Sequence, residues 1–194
     1  MSSYNLVLFL HVATLLFALV LTGILHGSMW LMVRAATVAE LRVSARPQQL
    51  GVLYAPFILA LIGSGFLLLN LSKTSNKFHF SDPFAWTAVV VLVFLFLNGP
   101  LILGRHDKAL RKALTGSSNG PVSPELHALT INRTVWFFEF INPFTALGVV
   151  LNMATKPNLL WCIVDIGAGV GIGAGCAQFA LNRAIMVRPE AIAI

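Results

Sequence analysis

Residues 5–33 read NLVLFLHVATLLFALVLTGILHGSMWLMV, and this single stretch indicates the class of fold. It contains 29 residues and no Asp, Glu, Lys or Arg. As an α-helix it would be about 43 Å long, which exceeds the roughly 30 Å hydrocarbon core of a bilayer. Its residues are apolar all round rather than alternating, unlike the strands of an outer-membrane barrel. We predict a transmembrane helix that tilts or protrudes.

Four more apolar runs of similar character follow. Hydrophobic residues make up 57% of the 194 residues and charged residues only 10%, whereas soluble domains carry about 25% charged residues. We therefore predict an all-α membrane protein in which residues 1–194 form one domain, a bundle of five transmembrane helices. This composition excludes a secreted enzyme, a disordered chain and, despite a pI of 9.9, a soluble nucleic-acid binder. The expected partner is the lipid bilayer, and the predicted spans are Asn5–Val33, Gly51–Leu71, Phe84–Leu103, Val135–Met153 and Asn158–Leu181.

The basic residues separate into two groups and predict the orientation. Ten of the 13 Lys and Arg lie in the 34–50 connection, the 104–134 loop and the C-terminal tail, where Arg188 is the last of them. Only Lys73, Lys77 and Lys156 belong to the other side. Basic residues collect in cytoplasmic loops. The expected topology therefore has the N-terminus outside, the C-terminus inside and a cytoplasmic 104–134 loop, in a bacterial cytoplasmic membrane.

The cytoplasmic loop is predicted to be partly ordered. Leu110 and Leu114 lie one turn apart within Asp107–Leu114, opposite basic residues, as expected of a short helix on the membrane surface. The glycine- and serine-rich stretch 116–121 indicates a flexible break. Ser123-Pro124 is typical of a helix start that leads into the fourth span.

Four ionisable residues lie inside the predicted spans: His11, His26, Glu139 and Asp165. Such groups are costly in lipid and normally face the interior of a bundle, where they pair. Counting from the helix ends, His11 and Asp165 lie at similar depth in the outer half, and His26 and Glu139 at similar depth in the inner half. We predict two histidine–carboxylate pairs.

Two asparagines accompany breaks in the helices. Asn98 precedes Gly99-Pro100 in the third span, and Asn142 precedes Pro143 in the fourth, on the same face as Glu139. Proline weakens the local main-chain hydrogen bonding. With His26 these residues are predicted to form a polar pocket open to the cytoplasm. The alternative is a pair of proline kinks whose amides are satisfied by neighbouring helices.

His11 and His26 also suggest haem. They are separated by about 22 Å along one helix and share a broad face, which is similar to membrane cytochromes that stack two b-type haems. Each haem would have one axial histidine, with a Met or a loop histidine as the other ligand. The remaining histidines, His79, His106 and His127, lie in loops. No other metal site is predicted, since the two cysteines form no CxxC motif.

Glycines alternate along the fifth span. The GxxxG spacing occurs three times, and such small faces let helices approach closely. We predict close packing inside the bundle, with homodimerisation or a larger membrane complex as the alternative. The glycines concerned are Gly167, Gly169, Gly171, Gly173 and Gly175.

Two short motifs carry a resemblance to known proteins. Phe9-Leu10-His11-Val12 and Met153-Ala154-Thr155-Lys156-Pro157, the latter before a glycine-rich last span, resemble a family of small bacterial integral membrane proteins of unknown function. That family is distantly similar to the membrane domain of copper-resistance D proteins. The chain is also similar to the haem-containing protoporphyrinogen oxidases, in which a first-span histidine matters, as at His11, together with a lysine inside a later span. No lysine lies inside a span here.

These observations leave three hypotheses for function. The first is a non-enzymatic structural or accessory membrane protein with buried His–carboxylate pairs. The second is a haem-b protein that carries electrons across the bilayer through His11 and His26. The third is a small proton- or metal-coupled transporter that uses the same four ionisable residues.

Overall fold

The computed structural model describes residues 2–73 and 79–187, and within them the chain is helical, with no strands. Five helices are long and apolar enough to cross a membrane. Large apolar side chains such as Phe17, Leu160 and Trp161 are exposed on their outer surfaces, as expected where a helix faces lipid. The main α-helices of these five segments are α1 Ser3–Arg34, α3 Tyr54–Lys73, α4 Pro83–Asn98, α7 Arg133–Thr155 and α8 Leu159–Val187.

Each of the five predicted spans corresponds to a long apolar helix, and the ends differ by a few residues. At the second span Arg46–Leu53 forms a 3₁₀ segment and the α-helix begins only at Tyr54, whereas the last helix runs on to Val187, beyond the predicted end at Leu181. The third predicted span ends in a π-helical turn, Gly99–Leu103, that follows α4. Pro100 lies in this turn and cannot supply the main-chain N–H that a regular helix needs there. Lys77 and Arg188 lie outside the described residues, as does the Lys73 side chain.

Three short helices cover one end of the bundle. They are α2 Val38–Ala45, α5 Gly104–Gly116 and α6 Pro124–Thr130, and we call them the cap. The end they cover carries most of the basic residues and is here called the basic end. The start of α2 is set by Thr37, whose side chain accepts from the Glu40 N–H while Glu40 caps in return, so α1 and α2 are separate helices.

A large hydrophobic cluster lies between the cap and the ends of the long helices that it covers. Leu110 and Leu114 of α5 are 2% and 6% exposed and join a cluster with Leu41, Leu126 and Trp136. The predicted helix on the membrane surface is therefore wrong: the apolar face of α5 packs against protein. The amphipathic pattern of α5 predicts that its apolar face is covered, but it does not show whether lipid or protein covers it.

Residues 116–121 are held in place, so the predicted flexible break is also wrong. The Arg42 guanidinium donates to the carbonyls of Leu114, at 2.8 Å, and Ser117, and to the side chain of Asn119. The main chain adds two bonds: Val38 N–H donates to Gly120 at 2.9 Å, and Val122 N–H to Ala36 at 3.1 Å. Arg42 thus satisfies carbonyls that the end of α5 leaves without helical partners.

We expect Arg42→Leu to destabilise the cap. Hydrogen bonds to charged groups contribute about 1.5–3 kcal/mol each, so the loss should amount to at least about 2 kcal/mol. The measurement is the rate of limited proteolysis at residues 116–121 in detergent, which should rise well above that of the wild type. Arg46→Leu is the matched control, because Arg46 lies in the same connection and its exposed side chain makes no described hydrogen bond. Equal rates in the two variants would show that Arg42 does not hold residues 116–121 in place.

Candidate functional site

Polar side chains from three helices meet in the half of the bundle nearer the basic end. The Thr22 hydroxyl of α1 and the Tyr54 hydroxyl of α3 are 2.6 Å apart and share a hydrogen bond. Tyr54 also interacts electrostatically with Glu139 of α7. His26 lies one turn after Thr22 on α1 and contacts α7 as well. We call Thr22, His26, Tyr54 and Glu139 the polar cluster.

Glu139 is the unusual member of this cluster. Its side chain is 7% exposed. Within residues 2–73 and 79–187 it has no hydrogen bond and no ion pair. The nearest basic residues on its own and the adjacent helix, Arg133 and Arg183, are exposed and lie over phenylalanine rings. A carboxyl group in this environment lacks both water and a compensating cation, which is costly in a membrane protein.

His26 reaches Glu139 through the main chain rather than through the carboxylate. Its Nδ1 lies 2.8 Å from the Thr22 carbonyl, and the ring also interacts with the carbonyl of Glu139. That carbonyl lacks its regular helical partner because residue 143 is proline. No ion pair between His26 and the Glu139 carboxylate is among the described contacts, so the histidine–carboxylate pair stays a prediction.

Asn98 and Asn142 lie at the two helix breaks. Asn98 Nδ2 and Asn142 Oδ1 are buried and have no hydrogen-bond partner. Asn98 precedes the π-helical turn, and Asn142 precedes Pro143. The alternative in which neighbouring helices satisfy both amides is wrong for these two atoms. An unpaired buried donor or acceptor costs about 1–3 kcal/mol, so these two atoms destabilise the fold unless another polar group binds them.

At the opposite end of the bundle the predicted pair is not formed. His11 Nδ1 lies 2.8 Å from the Ser64 hydroxyl of α3. Asp165 lies half-buried on α8, and its main chain approaches Gly148 of α7. Among the described residues no hydrogen bond or ion pair joins His11 to Asp165. A serine on the adjacent helix supplies the partner of His11 instead.

His11 and His26 already have contacts of their own in the structure, and haem binding stays a prediction. The two rings contact different helices: His11 contacts α3, and His26 meets the edge of Phe140 on α7 at 4.5 Å between centroids. A second histidine ligand would have to come from His79, His106 or His127, which lie before α4, in α5 and in α6. The described residues also contain no group of three or more His, Cys, Asp or Glu that could hold a metal ion.

The glycines of α8 divide by face. A Cβ atom built on Gly169 would lie 2.3 Å from the Phe144 carbonyl oxygen, and one on Gly173 would lie 2.7 Å from the Ile141 Cα. Nothing approaches Gly167, Gly171 or Gly175 within 4 Å. The prediction of close packing is thus confirmed for the 169/173 pair alone. On α7 the matching residue is Gly148, which had not been predicted. Homodimerisation stays a prediction.

Two members of the polar cluster were missed at the level of sequence. Tyr54 is one of only two tyrosines, and its hydroxyl within a predicted span was a usable signal. Thr22 gave no such signal, because threonine in a membrane helix commonly bonds its own main chain, as Thr22 also does with Ala18.

Comparison of the chain with protein-family models, with curated proteins and with solved structures gives no match. The resemblance based on two short motifs therefore stays a prediction. The fold and the polar cluster define the class: a small helical protein with five helices long and apolar enough to cross a membrane and a buried acidic side chain without a described ion pair.

Proposed function

We propose that the protein is a small proton-coupled transporter of the bacterial cytoplasmic membrane, with Glu139 as the group that binds the proton. The observation that carries the proposal is the buried Glu139 side chain without hydrogen bond or cation, beside the Tyr54–Thr22 pair. An ionisable residue inside a membrane is most often part of an ion or proton pathway. A structural role alone would be served as well by glutamine or leucine.

The polar cluster supports this role through its neighbours. A buried carboxyl without a cation is favoured as the neutral acid, whereas the carboxylate requires donors. The Tyr54 hydroxyl, which is hydrogen-bonded to Thr22, lies within electrostatic range of the Glu139 carboxyl. The protonation state of Glu139 would thus be sensed by this hydroxyl pair.

The proposed orientation places the polar cluster on the cytoplasmic side. The cap and the basic end carry most of the arginines and lysines, among them Arg105 and Lys108 in α5. Basic residues favour the cytoplasmic surface and contribute about 1 kcal/mol each against anionic lipid. On this proposal the cluster exchanges protons with the cytoplasm, while His11 and Ser64 lie toward the outer surface.

Proton flux in liposomes tests the function. The purified protein is reconstituted with an internal pH-sensitive dye, and a membrane potential is imposed to drive protons inward. We expect acidification that is at least about tenfold slower with Glu139→Gln, since proton-transfer groups typically contribute a factor of about 10²–10⁴. Asp165→Asn is the matched control, because Asp165 also lies within a span but makes no described contact with the cluster. Equal flux in the wild type and Glu139→Gln would contradict the proposal.

A further inference from the structure

Asn98 and Asn142 extend the faces by which α4 and α7 pack against each other. Ala88, Val91 and Leu95 of α4 belong to one buried cluster with Val149 of α7, against which Ala146 and Met153 of α7 also pack. Asn98 continues this face of α4 by three residues, and Asn142 continues that of α7 by four. The two helices run in opposite directions, so both continuations lead toward the basic end. Helical periodicity therefore places the two amides at the same level.

The unpaired atoms of the two amides are complementary. Asn98 presents an amide nitrogen, which donates, and Asn142 an amide oxygen, which accepts. They make no hydrogen bond to each other among the described contacts. A molecule that accepts a hydrogen bond from Asn98 and donates one to Asn142 would satisfy both amides. Water can do this and still has a second proton to donate.

Glu139 is the nearest group that could accept this second proton. It precedes Asn142 by three residues on the same face of α7, a spacing that brings Cβ atoms to within about 5–6 Å. The π-helical turn Gly99–Leu103 and Pro143 lie at the same breaks. Such turns often mark functional sites, and irregular main chain at membrane depth occurs where it lines a water-filled cavity.

We propose that Asn98 and Asn142 hold a bridging water that delivers protons from the cytoplasm to Glu139. Hydronium at the cytoplasmic end gives one proton to this water, which passes another of its protons to the Glu139 carboxylate. The net change is one hydronium and one carboxylate to two neutral molecules, water and the carboxylic acid. This inference rests on the proposed function, since it assigns the path to the same proton-binding group.

The groups that face Glu139 are compatible with a path through the asparagines. His26 approaches from α1 and Tyr54 from α3. The helix α4 contains no ionisable residue. The Arg183 side chain of α8 and the Arg133 side chain of α7 are exposed. The amides of Asn98 and Asn142 are therefore the polar groups that lead from Glu139 toward α4.

The test measures how fast Glu139 gains a proton. A pH jump is followed by time-resolved infrared spectroscopy at the carboxyl band that Glu139→Gln removes. We expect the double variant Asn98→Leu/Asn142→Leu to slow the appearance of this band by at least about tenfold and to leave its final size unchanged. Asn152→Leu is the control, because Asn152 is another buried asparagine of α7 but binds the Cys162 carbonyl near the other end. An unchanged rate in the double variant would overturn the proposal.

A second measurement needs no variant. In the wild-type protein in lipid, magnetisation transfer from water to the Asn98 side-chain amide should be detectable by solid-state NMR, as strongly as at exposed amides. Absence of this transfer would overturn the bridging water even if the double variant failed to fold. The two proposals fail separately: if no band depends on Glu139, the proton-binding function is wrong, whereas a band with an unaffected rate contradicts only the path.

Discussion

Replacing Gly169 by alanine is expected to force α7 away from α8 and to lower the stability of the fold sharply. The added Cβ would lie 2.3 Å from the carbonyl oxygen of Phe144 and 2.9 Å from its carbonyl carbon. Both are main-chain atoms, which cannot move aside by a change of rotamer. Overpacking of a well-packed interior costs about 1–3 kcal/mol and occasionally more, and a clash with the main chain belongs at the upper end of that range.

Gly171→Ala is the control for this prediction. It is the same substitution on the same helix two residues away, and nothing lies within 4 Å of its new Cβ. Alanine favours a helix over glycine by about 1 kcal/mol, so the expected effect has the opposite sign. The thermal unfolding midpoint in detergent should fall sharply for Gly169→Ala and should stay level or rise for Gly171→Ala. Equal shifts would show that α7 and α8 do not pack through Gly169.

This contrast also explains what sequence can predict about the glycines. Five alternating glycines indicate a helix that permits close approach, but they do not indicate which face is used. The three possible GxxxG pairs lie on two faces of α8. Gly148, at which an added Cβ would lie 2.6 Å from the Asp165 carbonyl, gave no GxxxG signal of its own. Which face of α8 is packed depends on its partner α7, so it cannot be predicted from the α8 sequence alone.

The spans themselves were predictable because hydropathy and length are local properties. The cap was not, since the burial of Leu110 and Leu114 depends on α2, α6 and the ends of α1 and α8. Lipid and protein are both apolar partners for the same amphipathic helix. Arg42 shows the same limit: a basic residue in a cytoplasmic connection indicates orientation, but its hydrogen bonds to residues 114–119 join positions more than seventy residues apart.

The sequence predicts which residues belong to the candidate site better than it predicts the contacts that they make. Depth counting placed His26 and Glu139 in the same half of the bundle, because rise per residue is nearly constant in a helix. It could not show that Pro143 would leave the Glu139 carbonyl free for the His26 ring, or that Tyr54 would lie within electrostatic range of Glu139. Pairing by charge is a reasonable first expectation, but Ser64 and Thr22 compete for the histidines through shorter-range hydrogen bonds.

Glu139→Gln is expected to leave the fold intact and to remove the proton-binding group. Glutamine has almost the shape of a neutral glutamic acid, so a side chain that is already buried without a cation should be replaced with little loss of stability. Glu139→Lys is expected to prevent folding, because it places an ammonium group in the same apolar surroundings without a carboxylate to pair with. The ratio of folded to aggregated protein by size-exclusion chromatography in detergent separates the two. Similar yields would show that Glu139 is exposed to water.

The infrared spectrum of the wild-type protein in lipid at neutral pH tests the role of Glu139 most directly. We predict a protonated-carboxyl band that is absent from Glu139→Gln, present in Asp165→Asn, and lost reversibly as the solution is made alkaline. That result would establish a buried acid that exchanges its proton with the solvent. A wild-type spectrum identical in this region to that of Glu139→Gln would mean that Glu139 is ionised at neutral pH, and it would contradict the assignment of Glu139 as the proton carrier.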